Sequence, residues 1–526
     1  MRAFVLTIAM ASWGAGAVAR TLDPITYLIR VPAADTHFID VEATIPASGQ
    51  ASVDLMMPVW SPGYYRVEDY AAQVTGLSAR DSRGEALPVE KPQSNRWRVE
   101  TRAARTIALS YRVFCNQRSV TTNYVDSDYG VLNGAPTFIT IAERAKREHH
   151  VRLELPATWT RAMTGLDDAP DGQPNHFVAS DYETLVDSPI LAGRLGITEF
   201  FVAGRKHYVV GAGDTEGWDA AAATQDLATF VEESARFWGF LPYEKYLFLL
   251  MFRSGGGGLE HMNSSLSTVS ARPTRAPDGA AAAAPPAASD QRPWPARGLL
   301  VHEYFHLFNA KRLRPVELGP FDFETQPTTG SLWIAEGVTS YYSGLLTTRA
   351  GLQTPEQYLA SLSGLIGGLQ GSPGRLLQSV EQSSLEVWSN SNSGIAPNAT
   401  TVSYYHKGHV LALLLDAKIR RLTQGRASFD DVMRRAYRRY GGERGFTADE
   451  FRLVAEDVAG SDLREWFRAS VSSTDELLYT DLLEWYGLQF VASELPAGAW
   501  KLEPQPNPTE AQKQNLQAWL APSRVK

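Results

Sequence analysis

The stretch VHEYFHLFN, Val301 to Asn309, sets two histidines four positions apart with a glutamate directly after the first. On a helix, residues i and i+4 share a face, so His302 and His306 can aim at one ion. Glu303 is rotated about 100° from them, near enough to touch a water beside that ion without ligating it. Pro293 and Pro295 precede the apolar run and Pro315 follows it, which predicts a helix with boundaries near 296 and 312. With 10 histidines in the chain, the pattern His-Glu-x-x-His arises by chance in roughly one such sequence in a hundred, so a metal site is the better reading.

A catalytic zinc site takes three protein ligands and keeps one position open. Glu336, in SLWIAEGVTSYY, stands 30 positions after His306 on the next helical segment. Trp333, Ile334 and Val338 flank it, so the segment reads as buried. A buried carboxylate without a partner is costly, and metal ligation accounts for it.

Outward from this region the pattern divides the chain. From about 20 to 195, runs such as FIDVEATI (38–45), RTIALSYRV (105–113) and VRLEL (151–155) alternate apolar and polar residues and are separated by turn-rich pieces. This half reads as an antiparallel β domain, sandwich-like. From about 225, apolar residues recur at three- and four-residue spacing in DLATFVEESARFWGFL, LLVHEYFHLFNAKRL, LWIAEGVTSYYSGLL and GHVLALLLDAKIRRL, so the second half reads as mainly helical. A strand-like run, KYLFLLMF, precedes the glycine cluster at 255–258. The expected class is multidomain α+β: a β domain over 20–195, a catalytic domain over 196–408, a helical domain over 409–490 and a tail over 491–526.

The 526-residue chain is 44% hydrophobic and 21% charged, with a net charge of -8. Two or three domains are expected at this length, and the acidic balance argues against a nucleic-acid partner. Residues 1–19, MRAFVLTIAMASWGAGAVA, have a basic start, an apolar run and a small-residue cleavage site near Ala19, and read as a secretory signal peptide. The apolar run is too short to span a bilayer comfortably. An exported, periplasmic or secreted, protein without a membrane span is expected. The single cysteine, Cys115, ends an apolar strand-like run and reads as a buried thiol. Residues 271–298 are rich in alanine and proline and read as a surface loop.

HEYFH followed by WIAEG resembles the gluzincin metallopeptidases. The strings GGGGLEH, HEYFHLFNAKRLRP, EGVTSYY and SYYHKGH resemble the glycyl aminopeptidase family within them, and MPVWSPGYY (57–65) and DSPILAG (187–193) are similar to that family's N-terminal domain. The resemblance implies a thermolysin-like catalytic domain with one Zn2+ per chain, held by His302, His306 and Glu336, with Glu303 as general base. It implies that Tyr405 steadies the oxyanion, with Tyr404 as the neighbouring candidate, and that Glu260 holds the free α-amine of a substrate. Gly257 and Gly258 would let a peptide backbone lie close to the strand edge. His261, His406 and His409 are expected to make structural hydrogen bonds.

The family's C-terminal PDZ module is not apparent after residue 490. An acidic residue expected soon after EGVTSYY to support a ligand is replaced by Ser343 and Gly344, leaving Asp322, Glu324 and Asp416 as candidates. The activity implied is a zinc aminopeptidase removing glycine or alanine from short peptides. A zinc endopeptidase of the same fold and a non-catalytic peptide-binding relative are the alternatives.

Overall fold

The computed structural model describes residues 22–524 apart from 144, 254, 272–293, 295, 390–398 and 493–497. The signal-like segment 1–19 and most of the alanine-proline stretch lie outside the described residues.

The N-terminal half is built of β sheets. Phe38–Pro46 and Thr106–Phe114 pair antiparallel at the centre of an eight-stranded sheet, with Ile39 opposite Val113, Val41 opposite Tyr111 and Ala43 opposite Leu109. These residues are buried while their neighbours in sequence face outward, the outcome expected where one sheet face packs on a core. Two four-stranded sheets complete the domain. One departure from a purely antiparallel domain is Ile25–Arg30, which pairs antiparallel with Phe38–Pro46 but parallel with His149–Glu154. Alternation of side chains is the same in both pairings, so it does not reveal direction. Cys115 is buried here, and burial pushes its thiol up to about 12.

Gly196–Val202 opens a five-stranded sheet. Arg205–Gly213, Lys245–Phe252 and Ser264–Val269 run parallel in it, and the helix Ala220–Trp238 makes the first crossover. KYLFLLMF is buried from Tyr246 to Phe252, as a central strand covered on both faces requires. Gly257–Glu260 pairs antiparallel with Ser264–Val269 and forms the sheet edge.

The rest of the C-terminal half is mainly helical. Four helices matter here: α1 (Arg297–His306), α2 (Thr339–Arg349), α3 (Tyr404–Leu422) and α4 (Glu510–Leu520). The first ends at His306, short of the boundary near 312 that the prolines suggested. The chain then turns through Ala310 at φ 93°, with Leu313 N–H donating to Phe308 O. Asn309 holds this turn: its side-chain amide donates to Ile334 O at 2.8 Å and Thr339 Oγ1 at 3.0 Å. The turn therefore ties the end of α1 to the segment carrying Glu336. That segment, Trp333–Val338, is wound as a π-helix leading into α2, a rare winding that re-aims side chains and recurs at functional sites.

The described residues after 490 are docked rather than trailing. Lys501–Pro504 pairs with Leu488–Val491, and Trp519 on α4 is 0% exposed. The Trp519 indole donates to the Tyr341 hydroxyl at 3.0 Å, and that hydroxyl donates to Asp416 Oδ2 at 2.8 Å. Arg349 donates to Trp519 O at 3.0 Å and to Asp430 at 2.9 Å. Tyr341 and Arg349 lie on α2, so the C-terminal helix braces the helix that follows Glu336. No helix among the described residues is long and apolar enough to cross a membrane.

Candidate metal centre

Helix α1 presents His302 and His306 on one face, and the π-wound turn brings Glu336 to meet them. His302 Nε2 lies 3.0 Å from His306 Nε2, while Glu336 Oε2 lies 3.2 Å from His306 Nε2 and 3.6 Å from His302 Nε2. Ligand bonds of zinc at tetrahedral angles put donor atoms about 3.3 Å apart, so this triangle fits one ion. Burial alone would depress His306, but the carboxylates of Glu336, Glu260 and Glu303 outweigh it and raise it to about 10. Burial would raise Glu336, and His306 and His302 hold it below the usual carboxylate range instead.

Glu303 leaves this triangle and turns toward the sheet edge. Its carboxylate rests on Gly258: a Cβ there would meet Glu303 Oε1 at 2.2 Å. The glycine was expected to admit a peptide backbone; the structure gives it a second reason, room for the glutamate. Gly257, by contrast, faces open space. Glu303 is raised to about 8, first by burial and further by Glu260 and Glu336, against the lowering effect of His306. Glu260 ends the edge strand and is also raised by burial. Glu260, Glu303 and His306 form a second converging triad within 4.8 Å. It shares His306 with the first, so a single ion between the two histidines leaves Glu260 and Glu303 free for other work.

Tyr405, on the first turn of α3, stacks obliquely 6.2 Å from His302 by ring centroids. Burial, then Glu336, keeps its hydroxyl well above the ordinary range, so it remains a donor. Tyr404 stacks on it at 5.0 Å and is buried beside Glu336. Helix α3 reaches this position because Gly408 crosses Gly337 with no room for a side chain between them. His406 takes part in the N-cap of α3, and His409 lies against Tyr341; neither joins the metal triangle.

Both motifs of the β domain converge on the segment Glu260–Met262, which sequence reasoning did not anticipate. Asp187, from DSPILAG, accepts from Lys311 Nζ at 2.6 Å and from Met262 N at 2.6 Å, and lies 3.3 Å from His261 Nδ1. Burial would raise Asp187, but Lys311 and His261 hold it at about 2. Trp60 to Tyr65, from MPVWSPGYY, forms a loop over the site, with Gly63 against the Glu260 carboxylate. The only available signal was that both strings sit in an otherwise ordinary β domain yet resemble family motifs.

The two imidazoles are supported unequally. His306 Nδ1 lies 3.1 Å from Asn309 O, the usual arrangement in which a ligand's other N–H finds an acceptor. His302 Nδ1 has no hydrogen-bond partner among the described residues; its ring borders a polar cleft of about 490 Å³ lined by Ser340, Ser343, Gly344 and Thr347. The acidic candidates act elsewhere. Glu324 is held by Arg96 and Asn95, and Asp416 by Tyr341 and Arg420. Asp322 caps Glu324 N. Ser343→Glu should place a carboxylate in this cleft and tighten zinc binding about tenfold, read by competition with a chromogenic chelator. An unchanged affinity would mean that position 343 does not reach His302.

The family model of the Peptidase M61 N-terminal domain matches residues 26–194, and that of M61 glycyl aminopeptidase matches residues 296–411. The chain belongs to the M61 metallopeptidases. Among solved structures, this M61 chain is similar to an aminopeptidase N family protein from Idiomarina loihiensis, with a TM-score of 0.79 and 28% identity over 89% of this chain and 79% of that one. An M1 zinc metallopeptidase from Deinococcus radiodurans shares the fold, with a TM-score of 0.50 at 13% identity over 87% of this chain and 95% of that one. No curated protein matches this M61 peptidase.

Proposed function

We propose that this M61 peptidase is an exported zinc aminopeptidase, with one zinc ion per chain, that removes N-terminal glycine or alanine from short peptides. The supporting observation is a charge count in one buried space. Glu260, Glu303 and Glu336 are 6%, 5% and 3% exposed, and three buried carboxylates need cationic partners. A divalent ion and one α-ammonium balance them. An internal peptide bond brings no ammonium, so the count favours a chain end over the endopeptidase alternative.

His302, His306 and Glu336 hold the ion, which when bound polarises the scissile carbonyl and acidifies water. Glu303 accepts a proton from the attacking water and returns it to the leaving amine. Tyr405 donates to the developing oxyanion. Glu260 fixes the substrate ammonium, and the open backbone edge at Gly257–Glu260 aligns the peptide as an added strand. The preference for small residues is taken from the family resemblance, and export from residues 1–19.

The test is hydrolysis of a glycyl anilide and of its N-acetylated twin, before and after chelation. Cleavage of the free amine alone, abolished by chelation and restored by zinc, is the expected result. Equal cleavage of both would make the enzyme an endopeptidase, and zinc-loaded protein that binds peptide without cleaving any would make it a binding relative.

A further inference from the structure

The loop Trp60–Tyr65 is unused by the chemistry above, yet it is fixed over the site. Trp60 is 0% exposed, its indole donates to Asp322 O at 3.0 Å, and its ring packs on Phe321 and Trp388 at 5.8 and 5.4 Å. Tyr64 N donates to Ser61 O at 3.0 Å to close the turn. At Gly63, with φ 90°, a Cβ would stand 2.5 Å from Glu260 Oε1. The loop backbone thus lies directly on the carboxylate proposed to read the amine. Two residues on, Tyr65 packs edge-on against Trp388 at 5.9 Å, and Trp388 is itself anchored by donating to Pro327 O at 2.7 Å. The carboxylates of Glu336 and Glu260, and Tyr404, all bear on the Tyr65 hydroxyl, which burial first of all raises well above its ordinary range.

Resting on the aminopeptidase reading, the geometry confines the first substrate residue tightly. Its amine belongs at Glu260 and its carbonyl at the metal triangle, and the Glu260 carboxylate lies within 4.8 Å of the His306 ligand atom. Only N–Cα–C, about 2.5 Å end to end, spans that interval. The edge strand and α1 pack together along that interval and the loop at Gly63 borders the Glu260 carboxylate, so the loop is the element placed to meet the first side chain. We propose that Tyr65, delivered by the N-terminal β domain and backed by Trp388, closes the pocket for the first side chain and sets the preference for small residues. It is a specificity residue and takes no part in proton transfer.

The test compares kcat/KM for glycyl, alanyl, leucyl and phenylalanyl anilides in the parent, Tyr65→Ala and Tyr65→Phe. Tyr65→Ala should raise the leucyl-to-glycyl ratio at least about tenfold, the scale on which pocket volume discriminates side chains, with zinc content unchanged. Tyr65→Phe, which keeps the ring, should retain the parent's ratios. Should Tyr65→Ala fail to fold by near-ultraviolet circular dichroism, Tyr65→Leu opens part of the same space and should move the ratio in the same direction. A uniform loss on all four substrates, or a parent that already prefers leucine, would overturn the proposal while leaving the aminopeptidase reading intact. A parent that cleaves none of the free-amine anilides would overturn both.

Discussion

Glu303→Ala is expected to keep its zinc and lose about two to four orders of magnitude in turnover, the contribution of a positioned general base. Glu303 lies outside the triangle of His302, His306 and Glu336, so its removal leaves the metal's ligands in place. The measurement is zinc content by mass spectrometry beside kcat on a free-amine anilide, and near-parental turnover would remove Glu303 from the mechanism. A steric companion separates position from chemistry. Gly258→Ala drives a methyl group into the Glu303 carboxylate, and should cost turnover without cost to the metal. A base acts only when deprotonated, so the parent's rate should fall as pH drops through the Glu303 pKa. Burial raises that pKa, and a bound cation pulls it back down. The residual activity of Glu303→Ala should lack this acid limb.

Trp519→Ala should destabilise the protein by about 3–5 kcal/mol, the cost of emptying a fully buried aromatic site. The ring stacks on Tyr486 at 4.6 Å and packs near Tyr358 at 5.6 Å. Its loss also removes the donor to the Tyr341 hydroxyl. Because Tyr341 sits one turn and a half beyond Glu336, faster zinc loss to a chelator should accompany the lower denaturation midpoint. A variant with parental stability would show that α4 only covers the surface. Trp519→Phe, which keeps the stacking and drops the donor, should recover most of the stability.

The residues of the candidate metal triangle were legible because their signal is local. Two histidines at i and i+4 and a glutamate in an apolar helix are set by spacing, and the structure brings all three within ligating distance of one point. Glu260, at the end of a glycine run, was pointed out only by resemblance, and it lies beside them. What stayed hidden depends on distant partners. The turn after His306 is set by Asn309 bonding to Ile334 and Thr339, contacts that no periodicity records, and the prolines therefore put the end of the helix too late. Parallel pairing of Ile25–Arg30 with His149–Glu154 leaves the same alternation as antiparallel pairing. Tyr65 and Asp187 look like ordinary residues of a β domain until the domain is seated on the catalytic half. AQKQNLQAWL reads as a short amphipathic piece of no assigned role, since its one decisive residue, Trp519, is buried by side chains far earlier in the chain.

That distance has a consequence in time. Tyr341 waits for Trp519 across 178 residues, and at about 5–20 residues per second of synthesis the interval is on the order of ten to thirty seconds. During it the helix after Glu336 lacks its brace, and Glu233 lacks the Ser523 N–H that it accepts at 2.7 Å. A nascent chain therefore carries its candidate ligands on an unbraced scaffold for that interval. Until residues 510–524 dock, the three candidate ligands should exchange a metal ion more readily than they do in the finished fold.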